Sequence, residues 1–560
     1  MKEPASSLLA RLEEVRDHFG GEAATLKREL LAALARRRLP DASRVARLHE
    51  ALVFLRAYPD DERVLETVET MLGRFADRAD LRRHRRGLVD SGIAGTEIRF
   101  VFYWPTALWL AERWPERLSI DWKEFENRSR LVAFLHLLVP YAETPGLDRF
   151  DFPAEEWLGH LKGAEETDAA FLVRRFRALR ADSFLRETLY DGLQVPIRLT
   201  PGPGGPSRTQ AGAPSRIHFQ TRPLERDRPD LAKAVRIPPR SVRAVSPREG
   251  RKLVHLAREA MVTRGRDLDA FAHADPGAVR LVDCGAGLHF ACLEVRPERR
   301  LVFEAVYGFL TLKNGVPIGY VLLSSLYRSA EVAYNVFDPF RGAEAAAIYG
   351  RALAMAHRLF GAETFAVDPY QLGHDNEEGL ASGAWWFYHK LGFRPDDPEV
   401  KRIARQELAQ MKRDPRHRSS MATLKRLAAE TMFYDRAGLR EEALGRLDLG
   451  NVGLRVSRYL AKRFGADRER GIRTCAEEAA AMLEVGSLAK LAPGERVAWD
   501  RWAPLVCLLP GVRRWSAAER RDLGRVIRAK GGRHESEFVR RFDDHPRLGA
   551  VIRRLAEEEP

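Results

Sequence analysis

A chain has few folds open to it once it must accommodate the order of elements written between Glu331 and Pro395. Glu331-Val-Ala-Tyr-Asn-Val-Phe337 is rich in β-branched and aromatic residues and predicts a strand. Asp338-Pro339-Phe340 ends it, because proline has no amide to give to a ladder. From Arg341 onward Ala346, Tyr349, Leu353, Ala356 and Phe360 recur at three-to-four spacing, the pattern of a helix with one buried face, and Gly361 is placed to cap it. Thr364-Phe-Ala-Val367 predicts a second short strand. A polar loop from Asp368 to Gly379 then leads into another helix, closing on Phe387-Tyr-His-Lys-Leu-Gly-Phe393, with Gly392 where a left-handed cap belongs.

The ending Tyr388-His-Lys-Leu-Gly-Phe393 closely resembles the close of the second motif of the GNAT superfamily of acyl-CoA-dependent N-acyltransferases. That family also places Arg or Gln, followed by x-x-Gly-x-Gly/Ala, between its fourth strand and the next helix. Arg341 and Ala346 fit that pattern, while Glu344 stands at the middle glycine. Ala381 replaces an asparagine common in the family, and Ala384 is kept. The motif has a physical rationale: first-turn amides of a helix point at incoming anions and the helix dipole adds positive charge, so main chain alone can hold a pyrophosphate.

The resemblance implies acetyl-CoA or another acyl-CoA as co-substrate, lying between strands that end near Phe337 and Val367, with Phe337, Arg341, Gly342, Ala343, Glu344, Ala345 and Ala346 along the cofactor. It implies direct attack of an amine on the thioester, with Tyr388 as the acid that protonates the departing thiolate. The plainer alternative for Tyr388 is a packed ring among Trp385, Trp386 and Phe387. Glu331, opening the central strand on the face opposite Val332, Tyr334 and Val336, is the candidate base; His374, Asp375 and Glu377 in the overhanging loop are alternatives. Tyr370, Gln371, His374, Asn376 and Ser382 are candidate contacts to an acceptor whose identity stays open. Glu344 and Ala381 keep a second reading alive, a GNAT-derived binding or scaffold protein without catalysis.

Elsewhere the chain frames this core. Residues 1–195 read as helices, with stripes at Leu8, Leu12, Val15, then Leu26, Leu30, Leu31, Leu34, then Leu48, Leu52, Leu55; Asp60-Asp61 and Asp90-Ser91 look like turns or caps. The aromatics from Phe100 to Trp109 read as core. Pro201-Gly-Pro-Gly-Gly-Pro206 marks a linker within an irregular segment 196–240. Ser246-Pro247-Arg248-Glu249 is a helix start, Gly285-Ala-Gly287 the turn of one hairpin and Asn314-Gly315 the type I′ turn of another. A GNAT-like domain over 241–397 and a second helical domain over 398–560, with Trp499, Trp502, Leu505 and Leu508 on a packed helix, complete an α+β fold: a central mixed α/β domain flanked by helical ones.

The 560 residues carry a net charge of +14, mostly arginine. Spread over helical surfaces with no nucleic-acid-binding motif, that charge does not point to nucleic acid, and the helical flanks suit a protein partner better. Four scattered cysteines give neither a disulfide framework nor zinc spacing, and His534-Glu535 lacks the second histidine of a zinc helix, so no metal is expected. Without an apolar run of membrane length or a leader-like N-terminus, the expectation is a cytoplasmic protein away from membranes.

Overall fold

Leucine stripes become separate helices only where something starts and stops them, and Asp41 and Asp61 supply two of the starts. In the computed structural model, which describes residues 3–436, 438 and 443–558, Asp41 accepts from the Arg44 amide at 2.9 Å and Asp61 from the Val64 amide at 2.8 Å. Each carboxylate satisfies an amide that the helix itself leaves unbonded. Helices Ala5–Val15, Gly21–Ala35, Ala42–Ala57 and Glu62–Gly73 result. Asp61→Ala should lower stability by about 1 kcal/mol, read as a drop in urea midpoint at unchanged slope. Asp60 is no cap: it pairs with Lys27 at 2.7 Å, both buried, and Lys27 occupies a buried position that the leucine stripe gave to Leu26.

The chain forms two compact units built from interleaved segments. The first takes the chain up to Leu224 with Arg251–His273 and Leu312–Ile318; the second takes Glu225–Gly250, Ala274–Thr311 and Gly319 onward. The second unit therefore holds both the expected 241–397 domain, apart from the two segments given up to the first, and the expected 398–560 domain.

Within the first unit the reading of helices up to 195 misses β1 (Ile98–Val101) and β2 (Leu118–Ile120). Both pair antiparallel with β3 (Pro196–Leu199). Phe102, Trp104 and Trp109 are core as expected, whereas Tyr103 is exposed. Pro201 to Gly204 are exposed, and the chain is fastened to the first unit just after the Pro/Gly-rich stretch. Arg208 donates its amide to Gly92 at 2.9 Å, and Thr209, fully buried, bonds His49 and the Ala94 amide, each at 2.8 Å. Gly92 is required there, since an added Cβ would lie 2.0 Å from the Thr263 carbonyl.

The larger sheet is made of β4 (Ser241–Ala244), β5 (Arg280–Gly285), β6 (Leu288–Glu294), β7 (Ala305–Lys313), β8 (Val316–Leu326), β9 (Ser329–Val336), β10 (Thr364–Val367), β11 (Arg394–Pro395) and β12 (Met432–Asp435). Its order is β4-β5-β6-β7-β8-β9-β10-β12-β11. Both expected hairpin turns form, with Asn314 and Gly315 at φ 49° and 78° as a type I′ turn demands. Ser246 caps the helix Pro247–Val262 through the Glu249 amide at 3.2 Å. A third tight turn, Tyr327-Arg328, has φ 54° and 49° without any glycine. Contacts with the C-terminal helices fix it: the Tyr327 hydroxyl bonds the Gly549 carbonyl at 3.1 Å and the Arg328 amide donates to Asp543 at 2.9 Å.

The expectation of helix alone beyond 398 is corrected by β12, which inserts between β10 and β11 and pairs antiparallel with both. Four residues, Met432-Phe-Tyr-Asp435, are too few for a periodicity to stand out between helices. The helices around it follow their apolar stripes, and Trp499 and Trp502 are fully buried with their indole N–H groups on the carbonyls of Ala476 and Val302, both at 3.1 Å.

Candidate active site

The site is set by where β9 and β10 stop pairing. β9 pairs antiparallel with β8 along its whole length, from Ser329↔Leu326 to Val336↔Gly319. With β10 it pairs in parallel only over Ser329, Ala330 and Glu331, opposite Thr364, Phe365 and Ala366. From Val332 to Val336 the β9 edge runs on without that neighbour, so its outward main-chain groups are not used by the ladder.

Tyr388 reaches this edge from the helix Ala384–Leu391, which runs between Gly383 and Gly392, both left-handed at φ 68° and 109°. Its ring is buried against Tyr349 at 5.4 Å and Phe393 at 5.7 Å between centroids. Its hydroxyl is bonded by the main-chain amide of Tyr334. Burial raises the phenol's pKa and the amide bond opposes it in part, so the group is a neutral proton donor at physiological pH. The packed-ring reading of Tyr388 holds, the ring lying in the core with its hydroxyl on the β9 edge.

Glu331 sits at the last paired position, with Ser324 on one side and Ala366 on the other. Its carboxyl is pushed up to about 7, first by burial and then by the charges of Asp368 and Glu304. Strand alternation puts it on the face opposite Val332 and Tyr334. Asp368 and Glu304 escape a motif search because their effect comes through space, from the end of β10 and the entry to β7.

Downstream of β9, Phe337 is buried beside the Tyr320 ring, and Asp338–Phe340 forms a single tight turn. Gly342 has φ 79° and open space where a Cβ would be. Ala343 and Ala346 are buried. The helix Ala345–Phe360 begins with Glu344 as its N-terminal boundary and ends on left-handed Gly361. Its first bond runs from the Ile348 amide to the Glu344 carbonyl at 2.9 Å, so the amides of Ala345, Ala346 and Ala347 precede the intrahelical ladder. The Glu344 side chain faces the Glu225 amide at 3.5 Å. Arg341 is ion-paired with Asp338 at 3.0 Å and with Glu378, which ties this turn to the helix Glu377–Ser382.

The proposed acceptor contacts are placed less uniformly. Tyr370 and His374 are exposed, His374 lies 3.6 Å from Asp375, and Gln371 is half-buried. Asn376 is spent on structure: its carbonyl caps the next helix through the Gly379 amide at 3.1 Å and its amide bonds the Tyr370 carbonyl at 2.9 Å. Ser382 bonds the Gly379 carbonyl at 3.0 Å. Among the described residues, no group of three or more metal-ligating side chains comes together and no helix is long and apolar enough to cross a membrane.

Compared with known proteins, the chain matches no family model, no curated protein and no solved structure.

Proposed function

We propose that the second unit is an acyl-CoA-dependent N-acyltransferase of the GNAT kind. The observation that carries the reading is the β9 edge from Val332 to Val336, released by β10 and met by the Tyr388 hydroxyl. The residues present suit the co-substrate: a main-chain edge unpaired with β10 for its pantetheine arm, though the Val332 carbonyl and Tyr334 amide on it are taken by Tyr349 and Tyr388, space at Gly342, and unladdered amides at Ala345 to Ala347 for its pyrophosphate. Bound there, acetyl-CoA supplies an acyl group already activated as a thioester.

The chain's part is then proton traffic. Glu331, close to half-ionised near pH 7, takes a proton from the attacking ammonium, directly or through a water, and leaves a neutral nucleophile. Tyr388 gives its proton to the departing sulfur and recovers one from the nitrogen as the amide forms, so the net proton released leaves through Glu331. Because a thiolate is a fair leaving group, with a pKa near ~8.5, the acid is worth less than the base. Tyr388→Phe should cut turnover by about 10- to 100-fold with the fold intact, measured by thiol release from acetyl-CoA across a panel of primary amines. An unchanged turnover would remove Tyr388 from the mechanism.

A binding or scaffold role without catalysis is favoured by one specific feature, the Glu344 carboxylate at the helix start beside an Arg341 already committed to Asp338 and Glu378. Calorimetric titration with acetyl-CoA and CoA separates the two. Heat with a defined stoichiometry supports the transferase, and none with either ligand at high micromolar concentration leaves the scaffold.

A further inference from the structure

Four cysteines lie scattered along the chain, and the fold brings two of them together. All four are free thiols. Cys475 is fully buried on the helix Arg468–Met482, and Cys507, half-buried, comes from the helix Pro493–Leu508 thirty-two residues on. The Cys507 sulfur lies 3.9 Å from the Cys475 carbonyl and 3.7 Å from a Glu478 carboxylate oxygen, and the two thiols are in hydrogen-bond contact with one another. Small residues let the helices approach. Gly471, Ala476, Ala479 and Ala480 are buried on the first, and the Trp499 indole of the second donates to the Ala476 carbonyl at 3.1 Å. The remaining cysteines provide a contrast within the same unit: the β5–β6 ladder sets Cys292 opposite Arg280, four residues along the strand from Cys284. That is roughly 13 Å at strand spacing, beyond the ~7 Å between Cα atoms that a disulfide spans.

Small apolar side chains would serve helix packing as well, but polar groups are gathered on this pair. The Arg463 guanidinium donates to the Tyr459 hydroxyl at 2.6 Å and to Glu478 at 2.7 Å, and that hydroxyl is within hydrogen-bond reach of both sulfurs. The hydrogen bonds from Arg463 keep Glu478 ionised, so the carboxylate facing the Cys507 thiol is able to take its proton. Burial holds both thiols protonated at neutral pH, Cys507 rising to about 12. The dithiol is therefore slow to react, and exchange begins at Cys507, the more exposed of the two.

We propose that Cys475 and Cys507 are a site of reversible oxidative modification, where a low-molecular-weight disulfide such as oxidised glutathione converts the two thiols into one disulfide stapling the helix Arg468–Met482 to the helix Pro493–Leu508. Cys507, its proton passed to Glu478, attacks one sulfur of the glutathione disulfide. That S–S bond breaks, and the first glutathione leaves as a thiolate and takes up the proton. Cys475 then attacks the Cys507 sulfur of the mixed disulfide, and the second glutathione leaves with the Cys475 proton. Two electrons and two protons pass from the cysteines to glutathione, and nothing else is consumed. The stapled helix is the one that clasps the chain ahead of β7: Trp502 donates to the Val302 carbonyl at 3.1 Å, and Arg501 to the carbonyls of Arg300 at 2.9 Å and Glu298 at 2.6 Å. The proposal goes beyond the acyltransferase reading and does not depend on it.

The test is incubation of the full chain with glutathione disulfide at about pH 9, where more of a raised thiol ionises, followed by thiol counting, non-reducing peptide mapping and thermal melts. Wild type, Cys475→Ala and Cys507→Ala are compared. In the wild type the peptides carrying Cys475 and Cys507 should be joined, with no glutathione retained on either and full reversal by dithiothreitol. Its melting temperature should rise by about 3–6 °C on oxidation, because the bond closes a long loop. Cys475→Ala should instead hold one glutathione on Cys507, and Cys507→Ala should leave Cys475 unmodified. Four titratable thiols after prolonged incubation would overturn the proposal. So would glutathione left on Cys507 of the wild type with Cys475 still free, a bond to Cys284 or Cys292, a bond between two chains, or a joined protein that melts no higher than the reduced one. The wild-type map decides by itself where either variant fails to fold.

Discussion

Glu331→Gln should lower turnover by about 10²- to 10⁴-fold and abolish the rising limb of the pH–rate profile centred near pH 7. Gln keeps the size and the burial and removes only the ability to accept a proton. The pKa of about 7 comes first from burial, then from Asp368 and Glu304, and such a value divides the residue between its two forms where a base is most useful. Activity should thus climb as pH rises through 7, and stability should do the reverse. With the folded pKa raised above the ordinary 4.5 of a glutamate, the native state holds a proton that the unfolded state has lost between about pH 4.5 and 7, so stability falls as pH rises through that window. The Gln variant escapes this fall and should be more stable than wild type at pH 8 by about 1–3 kcal/mol, while differing little at pH 4. Thiol-release rates across pH 5.5–9 and urea melts at both pH values measure the two arms. A variant that keeps its rate, or shows no gain at pH 8, would mean that Glu331 is an ordinary strand residue.

The parts of this site legible in the sequence are those written locally. The strand ending before Pro339, the Gly361 and Gly392 caps, the Ser246 helix start and the Asn314-Gly315 turn each depend on a few neighbouring residues, and each forms where its chemistry puts it. What the sequence hid depends on long-range placement. Tyr327-Arg328 has no turn composition, and its conformation is held by Gly549 and Asp543, more than two hundred residues away in the chain. β12 is too short to announce itself. Lys27 breaks an apolar stripe on paper because a charge there is tolerable only once Asp60 is folded against it. The perturbation of Glu331 and the meeting of Cys507 with Cys475 are likewise properties of surroundings, not of motifs. Asn376 shows the opposite error, a polar loop residue that looked free for a substrate and is consumed by a cap and a carbonyl.

The C-terminal helices are bound to the sheet by buried charge, and there the largest loss of stability is expected. Glu294 of β6, fully buried, meets the Arg280 guanidinium at 3.0 Å, the Tyr307 hydroxyl at 3.0 Å, His534 at 2.7 Å and the Glu535 amide at 2.9 Å. Beside it Lys530 lies 2.6 Å from Glu535, both inaccessible to water, and donates to the carbonyls of Phe303 and Glu304 at 3.0 and 2.9 Å. Burial pulls the two pKa values toward neutrality, Lys530 downward and Glu535 upward, and their short contact opposes this in both. Lys530→Met keeps the stem's volume but leaves Glu535, among the described residues, with the more distant Arg300 at 3.7 Å, and frees the carbonyls of Phe303 and Glu304. The cost should be about 3–5 kcal/mol, because an uncompensated buried charge is worse than none. Replacing Glu535 as well, in Lys530→Met/Glu535→Leu, should recover much of it, so urea denaturation of both single variants and the double closes a cycle whose coupling term exceeds about 1 kcal/mol. Near-additive losses would mean that the pair is held by its separate carbonyl bonds and not by its charges. The same variant reports on the site, because Lys530 holds the main chain of Glu304, whose charge helps to raise Glu331. Where Lys530→Met still folds, the midpoint of the pH–rate profile should move down as Glu304 loosens, linking the helical packing to the acidity of a base on the central strand.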